Sequence, residues 1–236
     1  MAERQLQQIL SQLKSQSSTL SYVDAAPLLS KAQLQLLKLN ALSPSPATLP
    51  SSNSQQQQQP QQQSQSVLAL ARETYEQGAL YSIRARDPEA FTRYVAQLAP
   101  FYELPASVLP PSLAERSRVT GLYLLLLLTQ GRYAEFHSEL ESLAAREGGG
   151  ATADVEGDRF LGYPIRLERW LMEGSYDRVW KAMKSREVPS EEFAVFSEVS
   201  WILPVHVSTD TLLRRRSCTP AMLALHHHQT TERPHC

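Results

Sequence analysis

The amino-acid sequence predicts an all-α protein, a helical-repeat stack of helical hairpins. Apolar residues recur at the helical spacing i, i+3, i+4 and i+7 in successive segments. Two hairpins share a turn that reads Gly-x-Tyr-x-x-apolar, at Gly131 and Gly174. Gly131 lies 44 residues after Asp87, where an earlier hairpin turns, and 43 residues before Gly174. This period falls in the range of helical solenoid repeats, so we expect three stacked hairpins.

The N-terminal segment, residues 1–42, predicts two amphipathic helices. Its first apolar residues fall at helical spacing, at Leu6, Ile9, Leu10 and Leu13. Residues 43–66 are almost entirely Ser, Pro and Gln, a composition that buries too little apolar surface to offset the entropy of ordering the chain. We therefore expect a disordered linker at 43–66, followed by the helical-repeat part at 67–199.

The first hairpin is predicted from a helix at 67–86 and a helix start at Asp87 and Pro88. The Asp side chain accepts bonds from the free N–H groups of a helix start, and Pro fits the first helical position. Four prolines are then expected to break the chain before the central hairpin: Pro100, Pro105, Pro110 and Pro111.

The central hairpin contains an almost unbroken apolar run at 122–128. The run is far shorter than the roughly 18 apolar residues that span a bilayer, so it predicts a buried helix and no membrane span. Gly131 then turns the chain, since a short connection between helices commonly needs a positive φ. With neighbours on both sides, this hairpin is expected to be the most buried, and exposure is expected to rise from Leu125 toward Phe193.

Residues 147–157 are Gly-rich and polar and predict a loop. The third hairpin turns at Gly174, and a short helix is predicted to start at the N-cap candidate Ser190, with Phe193 facing the stack. Pro204 interrupts any further helix, and residues 200–236 predict a divergent, disordered tail.

Six aromatic residues of the two later hairpins are candidates for the core or for a protein interface, because both environments favour large aromatic side chains. They are Tyr123, Tyr133, Phe136, Trp170, Tyr176 and Trp180. The sequence leaves both readings open.

Nothing in the composition or the motifs points to an enzyme. The net charge is −1, from 23 basic and 24 acidic residues, which argues against nucleic acid and anionic membranes as partners. The chain lacks a Gly-x-Ser-x-Gly elbow, a Walker loop, a dinucleotide fingerprint and a His-Glu-x-x-His pair. Two cysteines are too few for a disulfide scaffold, and no signal peptide is evident, so an intracellular protein is expected.

Three further groups of residues carry reactive or charged side chains, but their spacing does not predict a functional site. His137 has no oriented partner specified by spacing, so a catalytic role is not predicted. The run Arg214–Arg216 reads as a solvated charge cluster. The tail also holds metal-ligand atoms without paired spacing or a rigid element to present them, at Cys218, His226, His227, His228, His235 and Cys236.

Four blocks of the sequence, in order, resemble the PCI-domain family. They are residues 94–98 with Phe101 and Tyr102, residues 121–128, residues 134–141 and residues 167–176. The resemblance covers about residues 67–196 and is nearest to the small lid subunits of the 26S proteasome regulatory particle. Related subunits of the signalosome and of a translation initiation complex are similar in plan.

This resemblance implies a right-handed stack of the tetratricopeptide or HEAT kind that ends in a winged helix. It also implies a non-catalytic scaffold of the lid in ubiquitin-dependent proteolysis, in the cytoplasm and nucleus. Its partners would be other lid subunits, with no cofactor and no small-molecule substrate. After Val199 the sequence departs from the family, so the winged helix is expected to be missing or replaced, as in a truncated isoform. The alternatives are a free helical-repeat adaptor and a subunit of one of the related complexes.

Overall fold

The computed structural model describes residues 2–16, 22–44, 58–146, 152–184 and 188–197, and in these ranges every regular element is a helix. The predicted all-α helical-repeat fold is therefore confirmed, whereas the expectations for 200–236, including the replaced winged helix, lie outside the described residues. The helices are α1 (Ala2–Ser15), α2 (Tyr22–Lys38), α3 (Gln58–Arg84), α4 (Pro88–Tyr102), α5 (Leu113–Thr129), α6 (Tyr133–Arg146), α7 (Thr152–Gly157), α8 (Gly162–Met172), α9 (Tyr176–Lys184) and α10 (Glu191–Ser197).

The two N-terminal helices pack directly on the first hairpin. Leu6 and Leu10 of α1 belong to the same buried cluster as the apolar side chains of α3 to α6. Leu13 packs against Tyr81 of α3 in a smaller cluster, and the Tyr81 hydroxyl donates a 2.9 Å hydrogen bond to the Leu13 carbonyl. The core thus continues from α1 and α2 into the repeats.

Helix α3 begins at Gln58, so the disordered linker predicted at 43–66 extends too far toward the C-terminus. Glutamine is a good helix former, and α3 gains anchors here that composition does not show. Gln65 Nε2 donates to the Ser107 carbonyl at 3.1 Å, and Ser66 Oγ donates to Glu3 Oε1 at 2.9 Å. Residues 45–57 of the predicted linker lie outside the described ranges.

The three hairpins turn in the same way. A residue with positive φ follows the first helix of each pair, namely Arg86 (60°), Gly131 (70°) and Gly174 (71°). In each turn the next amide donates to a carbonyl five residues back, as Arg132 N does to Leu127 O at 2.9 Å. The repeat is thus visible in the backbone, although the positive φ of the first turn belongs to Arg86, one residue before the turn predicted at Asp87.

Two segments expected to be irregular are helical. Pro100 lies inside α4, which continues to Tyr102; the proline removes one intrahelical donor, and the burial of Phe101 in the main core offsets this cost. The glycine-rich segment predicted as a loop at 147–157 contains the short helix α7, whose Val155 is buried in the main core.

The expected rise in exposure from Leu125 to Phe193 is wrong. Leu125 is 1 % exposed, but Phe193 is 0 % exposed, although it lies at the C-terminal end of the described chain. Helix α10 folds back onto α3 and α5. Gly121 of α5 makes room for this approach, since a Cβ there would lie 3.1 Å from Phe193 Cζ and 2.5 Å from the Phe160 carbonyl oxygen. The third hairpin is therefore closed by α10.

Candidate interaction surface and buried glutamates

Glu192 of α10 joins three parts of the stack through its carboxylate, which is almost inaccessible to solvent. It accepts hydrogen bonds from Arg84 Nη2 of α3 at 2.5 Å, from Arg118 Nη2 of α5 at 2.7 Å and from Ser190 Oγ at 2.7 Å. Burial acts to raise the pKa of Glu192, but the bonds from Arg118 and Ser190 and the charge of Arg118 outweigh it and lower the pKa to about 2. The carboxylate is therefore ionised at neutral pH and holds α10 in place.

Glu76 of α3 is also buried but has weaker charge compensation. Its Oε1 accepts hydrogen bonds from the Tyr102 hydroxyl at 3.2 Å and from Ser112 Oγ at 3.0 Å, while Arg72 Nε lies 3.7 Å away, too far for a hydrogen bond. Burial raises the pKa of Glu76 to about 7, against the lowering effects of Arg72, Ser112 and Tyr102. At neutral pH this side chain is divided between its charged and neutral forms.

A cavity of about 390 Å³ lies beside Glu76, between α3, the α4–α5 connection and α5. Its walls combine apolar side chains with two arginines and a tyrosine: Phe101, Leu104, Leu109, Arg72, Arg116 and Tyr102. Arg116 lies over the Tyr102 ring at 5.5 Å. The donors to Glu76 are the hydroxyls of Tyr102 and Ser112, and Arg72 Nη1 donates to the Pro110 carbonyl at 2.6 Å, so Glu76 and Arg72 both bind the α4–α5 connection.

The sequence predicts neither glutamate as a buried group. Glu192 lies in the first turn of the helix predicted from Ser190, where an acidic residue is favoured whether it is buried or exposed, and Glu76 lies in a helix whose polar residues follow no separate pattern. A weak signal existed for Glu192, since it directly precedes Phe193, which was expected to face the stack. No pattern in the sequence marks Arg84 and Arg118 as its partners.

The predicted turn residues occupy the three turns. Asp87 Oδ1 accepts a 2.9 Å bond from the Ala90 amide, and Pro88 is the first residue of α4. Gly131 and Gly174 have open space around them, so only their backbone conformation requires glycine. Ser190, the expected N-cap, donates its hydroxyl proton to Glu192.

The candidate aromatic residues divide between core and surface. Phe136 is fully buried, while Tyr123, Trp170 and Trp180 are half-buried. Lys184 Nζ lies 5.5 Å from the centre of the Trp180 ring. Tyr133 and Tyr176, the residues that follow the turn glycines by two positions, are exposed. The shared turn pattern Gly-x-Tyr predicts the position of both tyrosines but not their exposure.

His137 is exposed on α6, and its Nε2 lies 3.5 Å from Glu168 Oε1 of α8. This contact bridges two hairpins on the surface. Within the described residues no group of three or more His, Cys, Asp or Glu side chains is arranged for a metal ion. The metal-ligand candidates of the tail and Arg214–Arg216 lie outside the described residues.

Helix α2 has a second apolar face that the sequence analysis did not single out. Its buried face consists of Ala25, Leu29, Ala32 and Leu36. On the opposite side Val23, Leu34 and Leu37 are 77 %, 56 % and 54 % exposed. The signal was available, since these three residues fall on one side of a 3.6-residue helix. Also among the described residues, no helix combines the length and apolar character that a membrane span requires.

Comparison with known proteins gives a consistent result. Residues 115–197, which run from α5 to α10, match the CSN8/PSMD8/EIF3K family. The chain is 37 % identical over 132 residues to the 26S proteasome regulatory subunit RPN12 of Saccharomyces cerevisiae, covering 56 % of this chain and 46 % of that protein. It is 35 % identical over 132 residues to the 26S proteasome non-ATPase regulatory subunit 8 homolog A of Arabidopsis thaliana, covering 56 % of this chain and 45 % of that protein.

The 26S proteasome non-ATPase regulatory subunit 8 of Caenorhabditis elegans is 29 % identical over 129 residues, covering 55 % of this chain and 46 % of that protein. The chain thus spans about half the length of the curated relatives it matches. The matched region contains the central and third hairpins and the α10 helix that Glu192 holds in place. Over α5 to α10 the chain is therefore similar to the CSN8/PSMD8/EIF3K family.

Proposed function

We propose that this chain is a non-catalytic structural subunit of the lid of the 26S proteasome regulatory particle and supports lid assembly in ubiquitin-dependent protein degradation. The observation that carries the proposal is the 37 % identity over 132 residues to a protein named a 26S proteasome regulatory subunit. The other lid subunits are the proposed partners, in the cytoplasm and nucleus.

The described residues support a scaffolding role rather than catalysis. The two buried glutamates, Glu76 and Glu192, contact arginine and hydroxyl groups that hold helices together. The exposed Tyr133 and Tyr176 lie at successive turns, where they are available for protein contacts.

Affinity purification of the tagged chain from cells, followed by mass spectrometry, tests this proposal. We expect other lid subunits to be recovered with the chain. The Glu192→Gln variant should recover less of them, because α10 loses its charged anchor, whereas the Glu191→Gln variant at the exposed neighbouring position should behave as the wild type. Recovery of other proteins in the absence of lid subunits would instead support the free adaptor.

A further inference from the structure

The connection between α4 and α5, residues 103–112, covers the buried Glu76 of α3. It is irregular, whereas the three helices around Glu76 are each stabilised by their own backbone hydrogen bonds. The connection is held to the stack by the buried side chains of Val108 and Leu109 and by side-chain hydrogen bonds to α3. Segments of this kind open locally before the whole fold unfolds.

Both ends of the α4–α5 connection bind the same carboxylate. Tyr102, the last residue of α4, donates its hydroxyl proton to Glu76 Oε1 at 3.2 Å, and Ser112, the N-cap of α5, donates to it at 3.0 Å. Between these ends Arg72 Nη1 donates to the Pro110 carbonyl at 2.6 Å. The cavity of about 390 Å³ lies against the connection, so water has room to approach Glu76 when the connection lifts.

The groups that surround Glu76 compensate its charge poorly. Arg72 Nε lies 3.7 Å from Glu76 Oε1, which is too far for a hydrogen bond, and the like charge of Glu115 disfavours ionisation. The ionisable groups that face Glu76 or line the cavity are Arg72 of α3, Tyr102 and Glu103 at the end of α4, and Glu115 and Arg116 of α5. A buried carboxylate in this setting is stabilised by any opening that brings it into contact with water.

We propose that the α4–α5 connection is a proton-controlled gate over the cavity, which stays closed while Glu76 is protonated and opens locally more often as Glu76 ionises near neutral pH. Opening replaces the bonds from Tyr102 and Ser112 with bonds from water, which solvate the charge instead of burying it. This inference does not rest on membership of the proteasome lid, because the carboxyl group, its donors and the cavity all belong to this chain.

Hydrogen–deuterium exchange of the full chain between about pH 5 and pH 8 tests the proposal. The reporters are the amides of Val108 and Leu109, which donate to the Pro105 carbonyl at 2.9 and 3.1 Å in the closed connection. Their exchange is divided by the intrinsic rate at each pH. Because the pKa of Glu76 is about 7 against an ordinary 4.5, we expect the opening constant to rise roughly 10- to 70-fold over this range, the larger value for full hydration.

Two variants assign this dependence to Glu76. Glu76→Gln keeps an acceptor for the two hydroxyls but cannot ionise, so exchange at Val108 and Leu109 should lose its dependence on pH. Glu141→Gln removes an exposed carboxylate of α6 and should follow the wild type. The amides of residues 122–128, in the middle of α5, should stay better protected than the connection at every pH, because they exchange only in larger openings.

Three outcomes would overturn the proposal. The first is an opening constant of the wild type that changes by less than about threefold over this pH range, a result that needs no variant. The second is the same dependence on pH in Glu76→Gln. The third is equal protection of Val108, Leu109 and residues 122–128, because the connection would then open only when the whole fold unfolds.

Discussion

Glu192 Oε1 lies 2.5 Å from Arg84 Nη2, and the two residues are 108 positions apart in the chain. The contact ties the last described helix to the first hairpin, while Arg118 Nη2 reaches the other carboxylate oxygen from the central hairpin. One side chain thus connects α3, α5 and α10. This explains why Phe193 is as deeply buried as the middle of the stack.

Removing this charge should destabilise the protein. In Glu192→Gln the guanidinium groups of Arg84 and Arg118, which are 24 % and 23 % exposed, lose their contact with a buried carboxylate. We expect the free energy of unfolding at neutral pH to fall by about 2–3 kcal/mol, less than for a fully buried pair because water reaches both arginines. Urea denaturation measures it. The control variant Glu191→Gln, at an exposed position, should change the free energy of unfolding by less than about 0.5 kcal/mol. Equal effects of the two variants would show that the buried contact of Glu192 does not contribute to stability.

The raised pKa of Glu76 should make the protein less stable as the pH rises, whereas the lowered pKa of Glu192 should make it more stable. Its pKa in the folded protein is about 7, above its ordinary value of 4.5. Its contribution is therefore fully present below about pH 4.5 and is lost as the pH rises through 7, where folding must bury a charge. Over this window the loss is at most about 3 kcal/mol.

The Glu76→Gln variant isolates this effect. Glutamine keeps an oxygen that can accept the bonds from Tyr102 and Ser112. We expect the variant to gain stability relative to the wild type as the pH rises from about 5 to about 8, measured by urea denaturation at each pH. Parallel pH profiles for the two proteins would contradict the burial of an ionising carboxyl at this position.

A methyl group at Gly121 should disturb the contact between α5 and the C-terminal part of the described chain. Its Cβ would lie 2.5 Å from the Phe160 carbonyl oxygen, which belongs to the backbone and cannot rotate away. We expect Gly121→Ala to destabilise the protein by about 1–3 kcal/mol in thermal or urea unfolding. Gly157→Ala is the matched control, since nothing lies within 4 Å of that position. A stable Gly121→Ala protein would show that α5 and residue 160 are not in close contact.

Gly131 should contribute to stability only through its backbone conformation. Its φ is +70° and a Cβ would meet nothing within 4 Å, so Gly131→Ala adds strain without a clash. Left-handed backbone costs a residue with a side chain roughly 1–2 kcal/mol, and we expect a loss of about 1 kcal/mol. Differential scanning calorimetry measures it. No loss relative to Gly157→Ala would mean that this turn relaxes to a negative φ.

The sequence predicted those parts of the fold that depend on local pattern. Asp87 and Pro88 marked a helix start, and Gly131 and Gly174 marked turns, because capping and positive φ act within a few residues. It did not predict that α1 and α2 join the core, or that α10 folds back over Gly121. These contacts join residues far apart in the chain, such as Tyr81 with Leu13 and Arg84 with Glu192, and no periodicity encodes them.

The apolar surface of α2 also combines a feature that local sequence predicts with one that it does not. The spacing of Val23, Leu34 and Leu37 could have predicted a second apolar face on α2, since it depends only on helical geometry. Which of the two faces is covered depends on the packing of α1 and α3. Likewise, Tyr133 and Phe136 lie three positions apart in α6 and so on one side of the helix, and only the packing shows that the first is exposed and the second buried.

Membership of the proteasome lid is tested most directly by the sedimentation of the tagged chain from a cell lysate in a density gradient that separates the 26S proteasome from free proteins. The proposed role predicts that the chain sediments with the proteasome and its lid. Sedimentation only as a free protein of 26.5 kDa, with an intact proteasome elsewhere in the gradient, would contradict it.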